Sequence, residues 1–120
     1  MNFTSKKSLG QNFLTDQKIL NLIVNTANIN NDDIILEVGP GTGNLTEKIL
    51  NKSLKSLTVI EKDERFLNHL HAKFGKKINL IHEDMMKFDY EIFNEKNIII
   101  FGNLPYNISS QMLVKWIKIK

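Results

Sequence analysis

Residues 34–43 read IILEVGPGTG, an apolar run that leads directly into a glycine-rich loop. A short apolar run bounded by turn residues is typical of a buried strand. The pattern of residues 44–51 predicts that a helix follows the loop. A glycine loop between a strand and a helix lets a ligand come close to the backbone at the start of that helix. The stretch therefore predicts a strand, a tight loop and a helix that together contact a ligand.

Strand and helix patterns alternate along the rest of the chain. The predicted helices cover residues 16–27, 44–51, 64–74 and 109–119, and the predicted strands cover residues 34–38, 56–60, 78–82 and 97–102. We expect Thr15 or Asp16 to cap the first helix, and Ser109 or Ser110 to cap the last. Such alternation implies a mostly parallel sheet with helices on both faces. The predicted fold class is therefore α/β.

The glycine loop departs from two common phosphate-binding patterns. The dinucleotide fingerprint needs a glycine where Asn44 stands, and no Lys-Ser or Lys-Thr pair follows the glycines as in a P-loop. Glu61 ends the second predicted strand, roughly 20 residues after the loop, where an acid can bind both hydroxyls of a ribose. Asp84 follows the third strand. Either acid alone is more often an exposed turn residue, but three strand-end features in this order are improbable by chance.

A second motif, Asn103-Leu104-Pro105-Tyr106, follows the fourth predicted strand. Ligands of open α/β sheets bind at this end of a strand. The Asn103 side-chain oxygen and the Leu104 carbonyl can accept both N–H bonds of an exocyclic amine. Pro105 restricts the backbone of Leu104, and Tyr106 can stack on a base. An ordinary proline-containing turn explains these four residues about as well when they are taken alone.

Taken together, the motifs are similar to those of a known family. Residues 37–43 resemble motif I of S-adenosylmethionine-dependent methyltransferases. With residues 11–14, 59–61 and 103–109, they resemble the ribosomal RNA adenine N6-dimethyltransferases over nearly the whole chain. The residues of these motifs are most similar to those of the bacterial small-subunit enzymes. The sister enzymes, which act on large-subunit RNA, more often carry isoleucine where Leu104 stands.

This resemblance implies a Rossmann-like methyltransferase fold and S-adenosylmethionine as the cofactor. The implied reaction is dimethylation of N6 on two adjacent adenosines near the 3′ end of small-subunit ribosomal RNA. The implied catalytic residues are Asn103, Leu104, Pro105 and Tyr106. The implied cofactor-binding residues are Asn12, Leu14, Gly39, Gly41, Glu61, Asp84, Met85 and Asn103. Because a sulfonium is already a strong electrophile, we expect catalysis by positioning and by polarisation of the amine.

Composition adds broad limits on partners and location. The net charge of +3 is compatible with RNA binding without being diagnostic. The absence of cysteine excludes disulfides and thiolate metal sites, and the three histidines lack ligand spacing, so we expect no metal. The polar N-terminus and the lack of a long apolar run predict a cytoplasmic protein with no membrane contact.

The resemblance also sets expectations for the whole protein. Family members are more than twice this length and add a small helical lobe that helps to hold RNA. We therefore expect residues 1–120 to be the N-terminal part of the cofactor-binding domain, without that lobe, and to have little activity alone. Strand 97–102 is then expected at an apolar sheet edge. The expected partner is small-subunit RNA or the precursor of the small ribosomal subunit, and the full-length protein is expected to be monomeric.

Two other classes of function stay open at this point. One is a DNA or large-subunit ribosomal RNA adenine-N6 methyltransferase, whose motif at residues 103–106 would be similar. The other is a non-catalytic RNA-binding factor, for example one that acts in ribosome assembly. Cofactor binding separates the enzymes from the non-catalytic factor.

Overall fold

The computed structural model describes residues 16–89, 98–105 and 112–114. The helices are α1 (Gln17–Thr26), α2 (Asn44–Leu50) and α3 (Glu64–Phe74), and a 3₁₀ turn (Gly75–Lys77) follows α3. The strands are β1 (Ile34–Val38), β2 (Ser56–Glu61), β3 (Asn79–His82), β4 (Ile98–Pro105) and β5 (Met112–Val114). Up to the fourth strand, these elements confirm the predicted alternation, with ends that differ by at most three residues.

The five strands form one sheet in the order β3-β2-β1-β4-β5. The first four strands of this order are parallel, and β5 runs antiparallel to β4. Strands β1 and β2 are buried along nearly their whole length, as is usual for parallel strands covered on both faces. The predicted α/β class with a mostly parallel sheet is confirmed. Strand β4 lies beside β1, as expected, but it is not the edge strand that the sequence predicts, because β5 pairs with residues 103–105 of β4.

The predicted helix over residues 109–119 is wrong at Met112–Val114, which form β5. Strand β4 continues to Pro105, three residues beyond the predicted end, and β5 pairs with this extension, so that Leu104 lies opposite Leu113. The free backbone groups of a strand edge favour such pairing. A short apolar run does not by itself distinguish a helix from a strand. The remainder of the predicted helix, with Ser109 and Ser110, lies outside the described residues.

All three helices pack on the same face of the sheet. Leu20 and Val24 of α1 and Phe74 of α3 belong to one buried cluster with alternate residues of β1, β2 and β4. The opposite face, around Leu36 and Ile60, is packed in part by Met85 and Phe88, which lie on the segment after β3. In the described part of the chain the helices therefore cover one face rather than the two that the sequence predicts.

The cap of α1 is the one that the sequence offers. The Asp16 side chain accepts hydrogen bonds from the N–H groups of Lys18 and Ile19, at 2.9 and 3.3 Å. These bonds satisfy two of the backbone donors that a helix leaves free at its start. The helix then presents Leu20 and Val24 to the sheet, and both are fully buried. The helix is thus fixed at its start by a cap and along its length by one apolar stripe.

We expect Gly43→Ala to destabilise the fold more than an alanine elsewhere in a turn. Gly43 has a φ of 91°, and a Cβ there would lie 2.7 Å from Cε2 of Phe74 and 3.0 Å from Cδ2 of Leu70. A left-handed backbone costs about 1 kcal/mol for alanine, and overpacking adds about 1–2 kcal/mol. We therefore expect a loss of roughly 2–3 kcal/mol in the free energy of unfolding, measured by urea denaturation.

Gly41→Ala is the control for this substitution. Gly41 also has a positive φ, 59°, but a Cβ there would meet no atom within 4 Å. Only the backbone cost of about 1 kcal/mol applies to it. Equal losses in the two variants would show that contact with α3 is not the reason for glycine at position 43.

Candidate functional site

The carboxyl ends of the four parallel strands meet at one edge of the sheet. Gly39 follows β1, Glu61 ends β2, and Asp84 comes two residues after β3. Residues 103–105 form the end of β4, whose register with β1 places Gly102 opposite Val38. This is the edge at which open α/β sheets bind ligands. The structure therefore brings the strand-end residues singled out in the sequence to the same place.

The glycine loop after β1 is held by one backbone hydrogen bond to β2 and by one within the loop. Gly39 and Gly41 have φ angles of 66° and 59°, a conformation that favours glycine. The N–H of Gly39 donates to the carbonyl of Ile60 at 2.9 Å, and the N–H of Gly43 donates to the carbonyl of Pro40 at 3.1 Å. A Cβ at Gly41 would meet no atom within 4 Å, so the backbone there is open to a ligand.

Glu61 holds the end of β2 to this loop. The side chain is buried, and Oε2 accepts the N–H groups of Lys62 and Asp63, both at 3.0 Å. Oε1 accepts the N–H of Gly41 at 3.3 Å. A carboxylate offers about four lone-pair directions, so these three donors leave one direction for a further donor. The backbone thus fixes this carboxylate in position and keeps it able to accept a hydrogen bond from a ligand.

Four of the proposed cofactor residues line one cavity of about 170 Å³. They are Gly39, Glu61, Asp84 and Met85. Gly41 joins the group through its hydrogen bond with Glu61. The volume is below the roughly 300–1,000 Å³ of typical small-molecule sites, so this cavity accounts for one part of a cofactor site.

The lining of this cavity is acidic. Glu61, Glu83 and Asp84 contribute carboxylates, and Lys62 is the one cation among the described residues of the lining. Carboxylates accept hydrogen bonds from hydroxyl and amine groups and attract cations. The cavity is therefore suited to a ligand that presents hydroxyls, an amine or a positive charge.

Asp84 shapes the turn at the rim of the cavity. Its Oδ1 accepts the N–H of Met86 at 2.9 Å, and its backbone carbonyl accepts the N–H of Lys87 at 2.9 Å. Aspartate commonly closes turns in this way. Among the bonds found in the described residues, none reaches the second carboxylate oxygen, Oδ2. That oxygen is the one available to an amine of a ligand.

Glu37 is a functional candidate that sequence reasoning missed. It lies beneath the glycine loop, 2% exposed, and the Thr46 hydroxyl donates to its Oε1 at 2.5 Å. Burial raises the pKa of Glu37 to about 7; the Thr46 bond opposes this rise, and the charge of Glu61 adds to it. The sequence feature that could have identified Glu37 is an acid at the fourth position of an otherwise apolar strand, where an unpaired charge is costly.

His69 is a second residue whose place could not be read from the sequence. Its Nε2 lies 3.2 Å from the carbonyl of Thr42, which can only accept, so Nε2 carries the proton in this contact. The bond ties α3 to the glycine loop. His69 therefore supports the loop from α3.

For the remaining predicted site residues, the structure does not describe the side chains. Residues 103–105 are described as the backbone of β4, and the roles of Asn103, Leu104 and Pro105 stay predictions. Asn12, Leu14 and Tyr106 lie outside the described residues. Within the described ranges, no group of three or more histidine, aspartate or glutamate side chains could hold a metal ion. None of the helices in the described ranges has the length and apolarity to cross a membrane.

Comparison with known proteins gives a match along nearly the whole chain. The model of the ribosomal RNA adenine dimethylase family matches residues 2–120. Ribosomal RNA small subunit methyltransferase A of Pelagibacter ubique (strain HTCC1062) is 47% identical over 113 residues, which cover 94% of this chain and 43% of that protein. The chain thus spans less than half the length of this curated relative.

Solved structures share the same architecture. The 23S rRNA methyltransferase ErmE superposes with a TM-score of 0.69 and is 29% identical, covering 82% of this chain and 39% of that one. A dimethyladenosine transferase from Plasmodium falciparum superposes with a TM-score of 0.62 and is 32% identical, covering 79% of this chain and 34% of that one.

Proposed function

The chain belongs to the ribosomal RNA adenine dimethylase family, and we propose that it binds S-adenosylmethionine and serves N6-dimethylation of adenosine in small-subunit ribosomal RNA. In this proposal, the substrate is the pair of adjacent adenosines near the 3′ end of that RNA. The observation that carries it is the acidic cavity at the carboxyl edge of the sheet, the same edge at which β4 ends. We further propose that residues 1–120 are the N-terminal part of a longer, monomeric, cytoplasmic protein.

The residues around the cavity fit the nucleoside part of this cofactor. Glu61 has a lone-pair direction free for a ribose hydroxyl, and Oδ2 of Asp84 suits the adenine amine. Ile60 and Met85 supply apolar surface for a flat ring. The open backbone at Gly41 leaves room for close approach of the ligand. When bound, S-adenosylmethionine supplies an electrophilic methyl group.

The end of β4 would hold the target base. The Asn103 side-chain oxygen and the Leu104 carbonyl accept the two N–H groups of the adenine amine and draw its lone pair out of the ring. Tyr106 stacks on the base, which must first leave its stack in the RNA. These hydrogen bonds strengthen as positive charge develops on the nitrogen, which lowers the barrier to methyl transfer. No nucleophilic side chain of the protein is required.

Small-subunit RNA is favoured over the alternative substrates. The identity with the small-subunit methyltransferase of Pelagibacter ubique is 47%, against 29% with the 23S rRNA methyltransferase ErmE. DNA adenine methyltransferases commonly carry proline where Leu104 stands in this chain. A non-catalytic assembly factor has no need of the acidic cavity, which is the feature that favours an enzyme.

Methyl transfer from labelled S-adenosylmethionine to undermethylated small ribosomal subunits tests the proposal. We expect the full-length protein to label these subunits and fully methylated subunits to take up no label. The 120-residue chain is assayed in parallel, with little or no transfer expected. RNA binding without any cofactor binding would instead identify a non-catalytic factor.

We expect Glu61→Ala to weaken cofactor binding. The substitution removes the acceptor for ribose hydroxyls and releases the N–H of Gly41, so we expect a loss of roughly 1.5–3 kcal/mol in binding free energy. Isothermal calorimetry on the folded full-length protein measures it. Glu64→Ala is the control, because Glu64 is exposed on α3 and does not line the cavity. Unchanged affinity in Glu61→Ala would contradict the assigned role.

A further inference from the structure

A larger cavity, of about 620 Å³, lies at the opposite end of the sheet. We call it the lysine groove, because Lys52, Lys55, Lys73 and Lys77 line it. Two of these lysines lie on the loop that leads into β2, and the other two lie at the end of α3 and in the 3₁₀ turn after it. Cationic side chains from two separate segments of the chain thus converge on one cavity.

The lysine groove concentrates positive charge. Among its described lining residues, four lysines face one acid, Glu47, which leaves a net charge of +3. Over residues 16–89, 98–105 and 112–114, acidic side chains outnumber basic ones by eleven to ten. The described residues outside the groove therefore carry a net charge of −4. The cofactor cavity, at the other end of β2, is acidic, so charge is separated along the strand.

Contacts within the protein leave most of this charge uncompensated. Nζ of Lys52 donates to the neutral amide oxygen of Asn25 at 2.6 Å. Nζ of Lys73 lies 3.6 Å from Oε2 of Glu47, with side chains 35% and 55% exposed, and such surface pairs contribute little. Lys55 and Lys77 have no acidic side chain within salt-bridge distance in the part of the chain that the structure describes.

Stabilisation of helix ends accounts for only part of this pattern. Basic residues near a helix C-terminus interact favourably with the helix dipole, and Lys73 stands in the last turn of α3. The effect fades beyond the last turn, so it does not account for Lys55, which directly precedes β2. The convergence of the four lysines therefore indicates a negatively charged ligand.

We propose that the lysine groove binds phosphates of the substrate RNA, at a distance from the site of methyl transfer; this inference rests on the proposed function. Lysine ammonium groups act as mobile point charges on flexible stems, without the fixed fork of arginine. That chemistry suits the varied backbone of a polymer better than the fixed shape of one small anion. Phosphates account for much of the contact between proteins and nucleic acids.

The distance between the two sites supports a polymeric ligand. Strand β2 runs from Ser56, which lines the groove, to Glu61, which lines the cofactor cavity. Five residue steps at about 3.3 Å each separate these ends by about 17 Å. A single adenosine held near residues 103–105 cannot reach the groove, whereas a folded RNA can contact both. The groove would therefore add affinity for RNA without changing the chemistry.

The test compares two double variants of the full-length protein that lose the same charge. Lys55→Gln with Lys77→Gln removes the two lysines without acidic partners, and Lys18→Gln with Lys48→Gln removes two lysines outside the groove. Fluorescence anisotropy measures binding of a labelled 3′ segment of small-subunit RNA between about 50 and 200 mM salt. For the groove variant, we expect roughly tenfold weaker binding and a salt slope reduced by about 1.4–1.8.

We expect the control variant to bind RNA with the affinity and salt slope of the unaltered protein. We expect calorimetry to give unchanged cofactor affinity in both variants. Equal weakening in the two variants, or no weakening in the groove variant, would overturn the proposal. Inorganic phosphate and unlabelled RNA are also compared as competitors at equal phosphate content. If inorganic phosphate competes as strongly as the RNA, the groove is a site for small anions and the proposal is overturned. Failure of the unaltered protein to bind cofactor or to methylate subunits would refute the proposed function, and the salt slopes are measured independently of it.

Discussion

Asn103→Ala is expected to lower the methylation rate of the full-length protein by about 10²–10³-fold, equivalent to about 2.7–4 kcal/mol. The magnitude is taken by analogy from hydrogen bonds that stabilise charge developing in a transition state. In the proposed mechanism, the Asn103 oxygen accepts an N–H of the target amine, and this bond strengthens as the nitrogen becomes positive. The effect therefore falls mainly on kcat, measured with saturating cofactor and undermethylated subunits.

Cofactor affinity is the companion measurement for this variant. We expect it to fall far less than the rate, because the proposed role of Asn103 is mainly on the target base. Asn21→Ala serves as the control, since Asn21 is exposed on α1 and far along the chain from the motif. A variant in which cofactor affinity and rate fall in equal measure would show that Asn103 binds the cofactor rather than polarising the amine.

Glu37→Gln is expected to change how stability depends on pH. The pKa of buried Glu37 is raised from 4.5 to about 7, mainly by burial. Below about pH 4.5 the side chain is protonated in both the folded and the unfolded states. As the pH rises, the unfolded chain ionises first, so wild-type stability falls until the pH passes the folded pKa. The difference between the two pKa values corresponds to roughly 3 kcal/mol.

Glutamine has the shape of protonated glutamate and can still accept the Thr46 hydrogen bond, but it does not ionise. The free energy of unfolding of Glu37→Gln, minus that of the wild type, is therefore expected to grow by roughly 3 kcal/mol from about pH 4.5 to about pH 7. Urea denaturation across this range measures it. Glu64→Gln is the control at an exposed position. A difference that stays constant with pH would mean that Glu37 is ionised in the folded protein.

The sequence predicted the features that depend on local pattern. The placement of Gly39, Glu61 and Asp84 at one sheet edge follows from their positions after successive parallel strands, because parallel strands end on the same side. Their chemical roles stay predictions. The prediction was wrong at Met112–Val114. Three apolar residues fit a helix and a strand equally well, and pairing with β4 makes this segment a strand.

Features that depend on contacts between distant segments could not be predicted. The burial of Glu37, its bond with Thr46 and the contact of His69 with the Thr42 carbonyl require the packing of helices on the sheet. The lysine groove is a further case. Its lysines look scattered along the sequence, and only the fold brings Lys55 and Lys77 into one cavity.

The hydrogen bond between Glu61 and Gly41 makes one proton a reporter of the bound state. Its length, 3.3 Å, is greater than that of the two other N–H bonds to the same carboxylate, so it is the first of the three to yield to a competing donor. In the proposed complex, one lone-pair direction of Glu61 is free, so a first ribose hydroxyl would leave the bond intact and a second hydroxyl would displace it. The nuclear magnetic resonance signal of the Gly41 amide then distinguishes a ligand that engages Glu61 through both hydroxyls from one that uses a single hydroxyl.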